Sequence, residues 1–297
     1  MKSWLQPLHY ERRYGRFMVK TAQEARRQLL ARLRRIVRIK TLTYEEEFND
    51  EFYVRSRASS ETSDEIAIAI GATLLWWAAY KLTLSPTISG YFNLVSIFND
   101  NQFREVIKSI SGVDLPPSSA RGYKPGVLST PTQEILKKFG DKADAYRIEP
   151  YLQPIETNWK AIQEKFIDNK IVNAINDAEL IVRNGIAITA LPNAIIDLID
   201  KKFQVVDRQV TQSASDQVHS LDTQLTQKRQ QSLGFNEYIW ETRRDERVRG
   251  NPNGLYPKAR PSHYARQGVV FNWDNPPENG HPGEDYGCRC RAIIRMR

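Results

Sequence analysis

The stretch from Tyr238 to Arg291 constrains the fold most, because it holds both cysteines and two of the four histidines of the chain. A short apolar run from Tyr238 to Trp240 predicts one strand. The β-branched and aromatic residues from Gly268 to Trp273 predict a second strand, which the following Asp-Asn-Pro-Pro ends. Two short strands bury little apolar surface. A module of this kind therefore needs a cross-link, either a bound metal ion or a network of charge-assisted hydrogen bonds.

The metal interpretation uses His263, His281, Cys288 and Cys290, a set of two histidines and two cysteines of the kind that zinc accepts. The single residue between the cysteines is fewer than zinc motifs normally have. The alternative is a final strand on which one cysteine packs inside and the other faces out, with both histidines as ordinary hydrogen-bonding residues. A disulfide is disfavoured, since a Cys-x-Cys ring is strained. The sequence predicts no cofactor other than this candidate zinc.

The hydrogen-bond interpretation uses Asp245, Arg247 and Arg249, which lie between the two predicted strands. A buried carboxylate that accepts hydrogen bonds from a guanidinium group would lock the crossing segment in place. The alternative is a solvated run of charges. The insert from Gly250 to Pro261, rich in Gly, Pro and Asn, predicts a surface loop.

This part of the chain resembles the phage head morphogenesis proteins of the Mu F type, also called minor head or minor capsid proteins. The residues that carry the resemblance agree with the family pattern in order and local spacing, although the Gly250 to Pro261 insert separates His263 from the preceding arginines. They are Gly234, Trp240, Asp245, Arg247, Val248, Arg249, Ser262, His263, Gly268, Val270, Phe271, Pro276, Pro277, His281, Pro282, Gly283, Cys288, Arg289 and Cys290. The resemblance extends upstream to a helical hairpin and a long helix with Arg208 near its start.

The resemblance implies a structural protein of a tailed bacteriophage that is made in the host cytoplasm and lies inside the head, near the portal vertex. Its expected partners are the portal protein and packaged double-stranded DNA, with scaffold or major capsid protein as further partners, in head assembly and DNA packaging or ejection. It implies structural roles for Arg208, Trp240, Asp245, Arg247, Arg249, Gly268, Pro282 and Arg289. The enzyme alternative is a metal-dependent hydrolase or nuclease built on Asp245, His263, His281 and the thiols. No H-E-x-x-H or other recognised catalytic motif supports it.

The first 40 residues are strongly basic, with twelve Lys or Arg against two Glu, whereas the whole chain has a net charge of +8. Apolar residues at steps of three and four from Thr21 to Ile39 predict an amphipathic helix. Such a helix can lie on DNA phosphates, an acidic portal face or a membrane surface, or simply carry a solvated charged face. The candidate contact residues are Arg12, Arg13, Arg16, Arg26, Arg27, Arg32, Arg34, Arg35 and Arg38. The terminal Arg289, Arg291, Arg295 and Arg297 predict a second cationic patch.

The segment from Ile66 to Tyr80 is the most apolar of the chain and predicts a helix, with acids before it and Lys81 after it. Its fifteen apolar residues fall short of the roughly 20 that span a bilayer, although the segment through Leu84 reaches about that length. A buried core or subunit-interface helix is the main interpretation. The alternative is membrane contact during genome delivery, as in a membrane-active ejection protein.

The sequence thus predicts an α+β fold that is mostly α, with elongated helical N-terminal and middle regions followed by a small C-terminal α+β module with short strands. The predicted segments are a basic helical region (1–60), an apolar helical region with a Pro/Gly loop (61–130), a helical middle with a long helix over about 207–231 (131–234), and the C-terminal module (235–297). A polar link from Arg55 to Ser63 and a helix stop at Asn184 and Gly185 are also predicted.

Overall fold

The computed structural model describes residues 7–46, 52–112, 114–115, 149–187 and 190–295, with the side chains of 38–46 and 52–61 left out. These residues form five long helices and one three-stranded antiparallel sheet, which confirms the mostly-α α+β fold. The helices are α1 (Leu8–Glu46), α2 (Phe52–Leu82), α3 (Ser85–Ser111), α4 (Leu152–Ala187) and α5 (Pro192–Ser232). The predicted Pro/Gly loop from Leu115 to Pro131 lies almost wholly outside the described residues.

The sheet contains β1 (Glu237–Glu241), β2 (Val270–Asn272) and β3 (Arg291–Ile294), with β1 in the centre. Both predicted strands are therefore confirmed. Burial alternates along β1, because successive side chains of a strand point to opposite faces. Tyr238 pairs with Phe271 of β2, and Trp240 pairs with Ala292 of β3. The predicted final strand is wrong in its position, since β3 begins after Cys290 and both cysteines are buried.

The chain divides into two compact units, each made of separate segments. The first unit comprises residues 1–14, 89–159 and 214–297, and the second comprises 15–88 and 160–213. Whether the four predicted segments fold as domains stays a prediction.

Ion pairs and close packing join the helices of the second unit. Arg26 of α1 donates to Asp200 of α5 (2.8 Å), and the Trp77 indole of α2 donates to Asp168 of α4 (2.7 Å). A Cβ on Gly185 would lie 2.6 Å from Ile195 Cγ1, so glycine permits close contact between α4 and α5. The predicted helix stop at Gly185 is wrong because this glycine serves helix packing, and α4 continues to Ala187.

Two predicted boundaries are replaced by continuous helix. The polar link from 55 to 63 lies inside α2, since it contains no Gly or Pro and its Ser, Thr and Arg residues cost a helix little. The long helix predicted from 207 starts earlier, at Pro192, because no Gly or Pro follows Pro192 before the helix ends at Ser232. Val210, Val218 and Leu225 form a buried apolar seam along this helix.

Helix α2 has one buried face and one exposed apolar face. Ile66, Ile70 and Trp77 are buried, which confirms a core position for that face. On the other face Ile68, Leu75 and Leu82 are exposed by 71%, 75% and 74%. Among the described residues, the segment from Thr62 to Leu82 is the one that is long and apolar enough to cross a membrane by length and composition alone.

In the first unit, α5 holds the C-terminal module through its last turn. Gln230 donates to the Ala292 carbonyl (3.2 Å) and accepts from the Trp273 indole (2.9 Å). Ile294 of β3 packs with Phe103 of α3 in one apolar cluster. A second cluster contains Tyr238, Trp240, Trp273, Cys288, Cys290 and Ala292.

Candidate metal centre

Three side chains with metal-binding atoms meet under the central strand of the module. His263 lies just before a 3₁₀ turn (Tyr264–Arg266), and Cys288 and Cys290 lie just before β3. All three are buried, with exposed fractions of 2%, 7% and 3%. The His263 ring makes a T-shaped contact with the Trp240 ring of β1, with 5.3 Å between the ring centroids. We call His263, Cys288 and Cys290 the His–Cys cluster.

The His–Cys cluster has the dimensions of a metal ligand set. One ligand atom from each residue lies within 4.8 Å of the others. His263 Nδ1 is 3.5 Å from Cys288 Sγ and 3.8 Å from Cys290 Sγ. For a tetrahedral zinc ion, with bonds of about 2.3 Å to sulfur and 2.0 Å to nitrogen, neighbouring N and S ligands lie about 3.6 Å apart. The residues present therefore fit zinc.

Hydrogen bonds orient the members of the cluster. The Gly283 amide donates to Cys288 Sγ (3.3 Å). His263 Nε2, on the ring edge away from the thiols, faces Asp285 Oδ2 at 3.5 Å. Asp285 is ion-paired with Arg249, which also donates to the Tyr286 carbonyl (2.6 Å).

The two thiols share a hydrogen bond that polarises them. Cys290 donates to the Cys288 sulfur, and this bond lowers the pKa of Cys288, as do His263 and the Gly283 amide. The same hydrogen bond raises the pKa of Cys290, and burial adds to the effect. Cys288 is thus the sulfur on which negative charge is favoured.

His281 does not belong to the cluster, although the sequence grouped it with the other three residues. Its Nδ1 lies 2.8 Å from the Tyr238 hydroxyl, and its ring packs on Trp273 with 4.8 Å between centroids. Burial lowers the pKa of His281 and favours its neutral form. Asp245 is also outside the cluster, so the described residues do not assemble the set that the hydrolase alternative requires.

The predicted network of charge-assisted hydrogen bonds is present, but its partners differ from those expected. Asp245 accepts from Arg289 (2.7 Å), while Arg249 pairs with Asp285. Asp245 also accepts from the backbone N–H of Arg247, whose side chain is exposed. These pairs join the segment after β1 to the segment before β3. Asp245 is half-buried rather than buried, at 32% side-chain exposure.

The remaining family-motif residues occupy different environments. Trp240 is fully buried, and the Arg266 guanidinium lies 4.8 Å from its ring centroid. Gly268 has φ +76° and its N–H donates to the Trp240 carbonyl (2.8 Å). Pro282 is buried, whereas Arg208 is an exposed residue of α5.

The second cationic patch is not formed by the described residues. Arg291 of β3 pairs with Glu241 of β1 (3.0 Å), its partner across the strands. Arg295 pairs with Glu237 (3.0 Å), and Arg289 is neutralised by Asp245. Arg297 lies outside the described residues. The prediction failed because it counted cations at the terminus without the carboxylates of the neighbouring strand.

Sequence reasoning missed a second buried polar group, centred on Arg229 of α5. Arg229 is fully buried and donates to Glu149 Oε1 (2.7 Å), Asn99 Oδ1 (2.5 Å) and the Ser96 carbonyl (3.1 Å). Nearby, burial raises the pKa of Asp222 to about 6. The spacing of the α5 seam was the available signal, because Arg229 lies one helical step after buried Leu225.

Taken together, the fold and site define a mostly helical protein that ends in a small three-stranded module with a buried His–Cys cluster. Residues 169–293 match the family described as Phage Mu protein F like protein. This match confirms the resemblance to the phage head morphogenesis family, and all three cluster residues lie within the matched segment.

The comparison with curated proteins gave a relative of undescribed function. An uncharacterized protein of Haemophilus influenzae is 31% identical over 135 residues, which is 45% of this chain and 26% of that protein. The chain thus spans about a quarter of the length of this relative. No solved structure matches.

Proposed function

We propose that this protein is a structural minor head protein of a tailed bacteriophage. It lies inside the head near the portal vertex, where it binds the portal protein and the packaged DNA and acts in head assembly and DNA packaging or ejection. The match over residues 169–293 supports the head morphogenesis role. The family is structural rather than catalytic, so the protein acts by binding.

The observation that supports DNA contact is that α1 has one buried face and one basic face. Met18, Leu29 and Leu33 on the first face are at most 1% exposed. The second face carries exposed arginines at six of the nine predicted positions. Five of them have no ion pair among the described residues, namely Arg12, Arg13, Arg16, Arg34 and Arg35, and the sixth is Arg27.

The arginines at the other four predicted positions are not assigned to the DNA contact. Arg26 pairs with Asp200, Arg27 pairs with Glu24, and Arg32 donates to the Gln28 carbonyl (2.7 Å). The side chain of Arg38 lies outside the described residues. The first three are held by partners within the chain, so we assign the contact to the five exposed arginines other than Arg27.

This arrangement favours a polyanion over a membrane as the partner of α1. The apolar face of the helix is covered by the protein, so it is unavailable to a lipid surface. The exposed guanidinium groups can still contact phosphates, which bind arginine well through paired donors. DNA contact through the backbone alone is blind to sequence.

We expect the full chain to bind random duplex DNA with an affinity that falls steeply as salt rises. Replacing Arg12, Arg13 and Arg16 together with Gln should reduce the slope of log affinity against log salt by about 2 to 3, because each lost phosphate contact contributes about 0.9. Fluorescence anisotropy at four or more salt concentrations measures this slope.

A variant of equal charge provides the control. Arg247, Lys258 and Arg260 are exposed cations of the C-terminal module, and their joint replacement by Gln should leave the slope nearly unchanged. Equal slopes for the two triple variants would show that binding depends on net charge and not on α1. Absence of DNA binding by the wild type at low salt would assign the basic face to an acidic portal surface.

The exposed apolar face of α2 supports a second candidate function, membrane contact during genome delivery. Ile68, Leu75 and Leu82 recur every seven residues, so they lie on one side of the helix. If this face enters a bilayer, replacing the three residues with Gln should reduce vesicle binding at least tenfold, since each buried side chain contributes about 1.5–3 kcal/mol.

Flotation of the full chain with vesicles at low salt measures the binding. Leu180, Leu191 and Leu198 are exposed leucines outside α2, and the same replacement there should have little effect. A wild-type protein that stays out of the vesicle fraction excludes the membrane function.

A further inference from the structure

We propose that His263, Cys288 and Cys290 bind one zinc ion, which cross-links the C-terminal module. This inference concerns how the module is held together and does not rest on the proposed function in the phage head. The ligand chemistry is that of zinc: two thiols and one imidazole, with N···S distances of 3.5 and 3.8 Å.

The surroundings of His263 are those of a metal-bound histidine. A histidine that binds a metal through one ring nitrogen normally donates its other N–H to a carboxylate, which fixes the tautomer and the ring orientation. Here Nδ1 faces the two sulfurs and Nε2 faces Asp285, which Arg249 holds in place. His263 Nε2 is buried without a hydrogen-bond partner within normal distance. A shift of a few tenths of an ångström, as Nδ1 moves onto the ion, would bring Nε2 into hydrogen-bond range of Asp285.

The surroundings of the sulfurs also suit an ion. Gly283 donates its N–H to Cys288 Sγ, and such a bond stabilises a thiolate in a buried site. The buried indole N–H of Trp240, which packs against His263, is a donor to the Cys290 sulfur. The pocket of the cluster thus offers donors to thiolates, which is the ionisation state that zinc requires.

The sequence suggested a set of four ligands, and the structure reduces this set to three. His281 is committed to the Tyr238 hydroxyl (2.8 Å) and does not join the cluster. Within the described ranges, no fourth His, Cys or carboxylate completes the set. A water molecule or another oxygen donor would therefore complete a tetrahedral site, as in other three-ligand zinc sites.

An ion at this position would connect two segments that are distant in sequence. It joins the residue before the 3₁₀ turn to the two residues before β3, closing loops of 25 and 27 residues. Three short strands alone bury little surface, so a cross-link here supports the whole module.

The first test is the metal content of the full chain, purified under reducing conditions without chelator. We expect one zinc per chain by elemental analysis. Replacement by Co²⁺ should produce a thiolate-to-cobalt charge-transfer band and the visible bands of a tetrahedral ion. A folded protein without zinc that also gives no cobalt bands would overturn the proposal. So would a Cys288–Cys290 disulfide in the non-reduced protein, or copper in place of zinc.

Two histidine variants then separate the three-ligand set from the four-ligand set. His263→Gln removes a direct ligand, so it should weaken zinc binding by more than the roughly 10-fold that loss of an outer-shell partner costs at the least. His281→Gln should retain one zinc per chain with the cobalt spectrum unchanged. Loss of zinc from a folded His281→Gln variant would overturn the three-residue assignment. Circular dichroism reports the folding of both variants, and the wild-type metal content decides the proposal if either fails to fold.

Discussion

Replacing Arg229 with Met is expected to lower the free energy of unfolding by about 3–5 kcal/mol. The guanidinium is fully buried and bonded to Glu149, Asn99 and Ser96. Met has a similar reach but no charge, so the variant leaves the Glu149 carboxylate buried without its cation. Most of the expected cost comes from that uncompensated charge. Urea denaturation followed by circular dichroism measures the effect.

Two further variants test this explanation. Arg208 lies on the same helix but is exposed, so Arg208→Met should change stability by less than about 0.5 kcal/mol. Replacing both partners, Arg229→Met with Glu149→Leu, should restore most of the lost stability, because neither member of the pair then leaves its charge uncompensated. If the free energy of unfolding of Arg229→Met lies within about 1 kcal/mol of the wild-type value, water must reach Glu149 and the pair is not buried in solution.

The Arg229 group shows why part of the fold could not be predicted from the sequence. Its partners lie 80 residues away at Glu149 and 130 residues away at Asn99, and nothing local in the sequence connects them. The long helix over about 207–231 and the strand at Tyr238 to Trp240, by contrast, follow from local patterns, and both were predicted. Local periodicity determines which face is buried but not which polar side chain it meets.

The members of the His–Cys cluster could not be fully predicted from the sequence either. Residue types alone grouped two histidines with two cysteines, since both histidines precede the Cys-x-Cys segment. The backbone turns decide which histidine reaches the sulfurs. His281 begins the turn that contains Gly283, and its ring faces Tyr238 of β1, whereas His263 enters from the far end of the inserted loop.

Replacing Gly283 with Ala is expected to destabilise the protein by about 2–5 kcal/mol. Gly283 has φ +89°, a left-handed conformation that costs other residues about 1–2 kcal/mol. An added Cβ would also overlap Thr223 Oγ1 of α5 and lie 3.1 Å from His219 Cδ2. Overpacking of this kind typically costs a further 1–3 kcal/mol. The glycine therefore allows the turn between His281 and Cys288 to pack directly against α5.

Gly287 provides a matched control that separates strain from overlap. It has φ +67°, but an added Cβ there would meet nothing within 4 Å. Gly287→Ala should therefore cost only the backbone strain, about 1–2 kcal/mol. Adding Thr223→Ala to Gly283→Ala removes the overlapping oxygen. The double variant should therefore lose less unfolding free energy than the sum of the losses of the two single variants. If the double variant shows purely additive costs in urea denaturation, contact with α5 does not explain the glycine. Backbone conformation alone would then account for it.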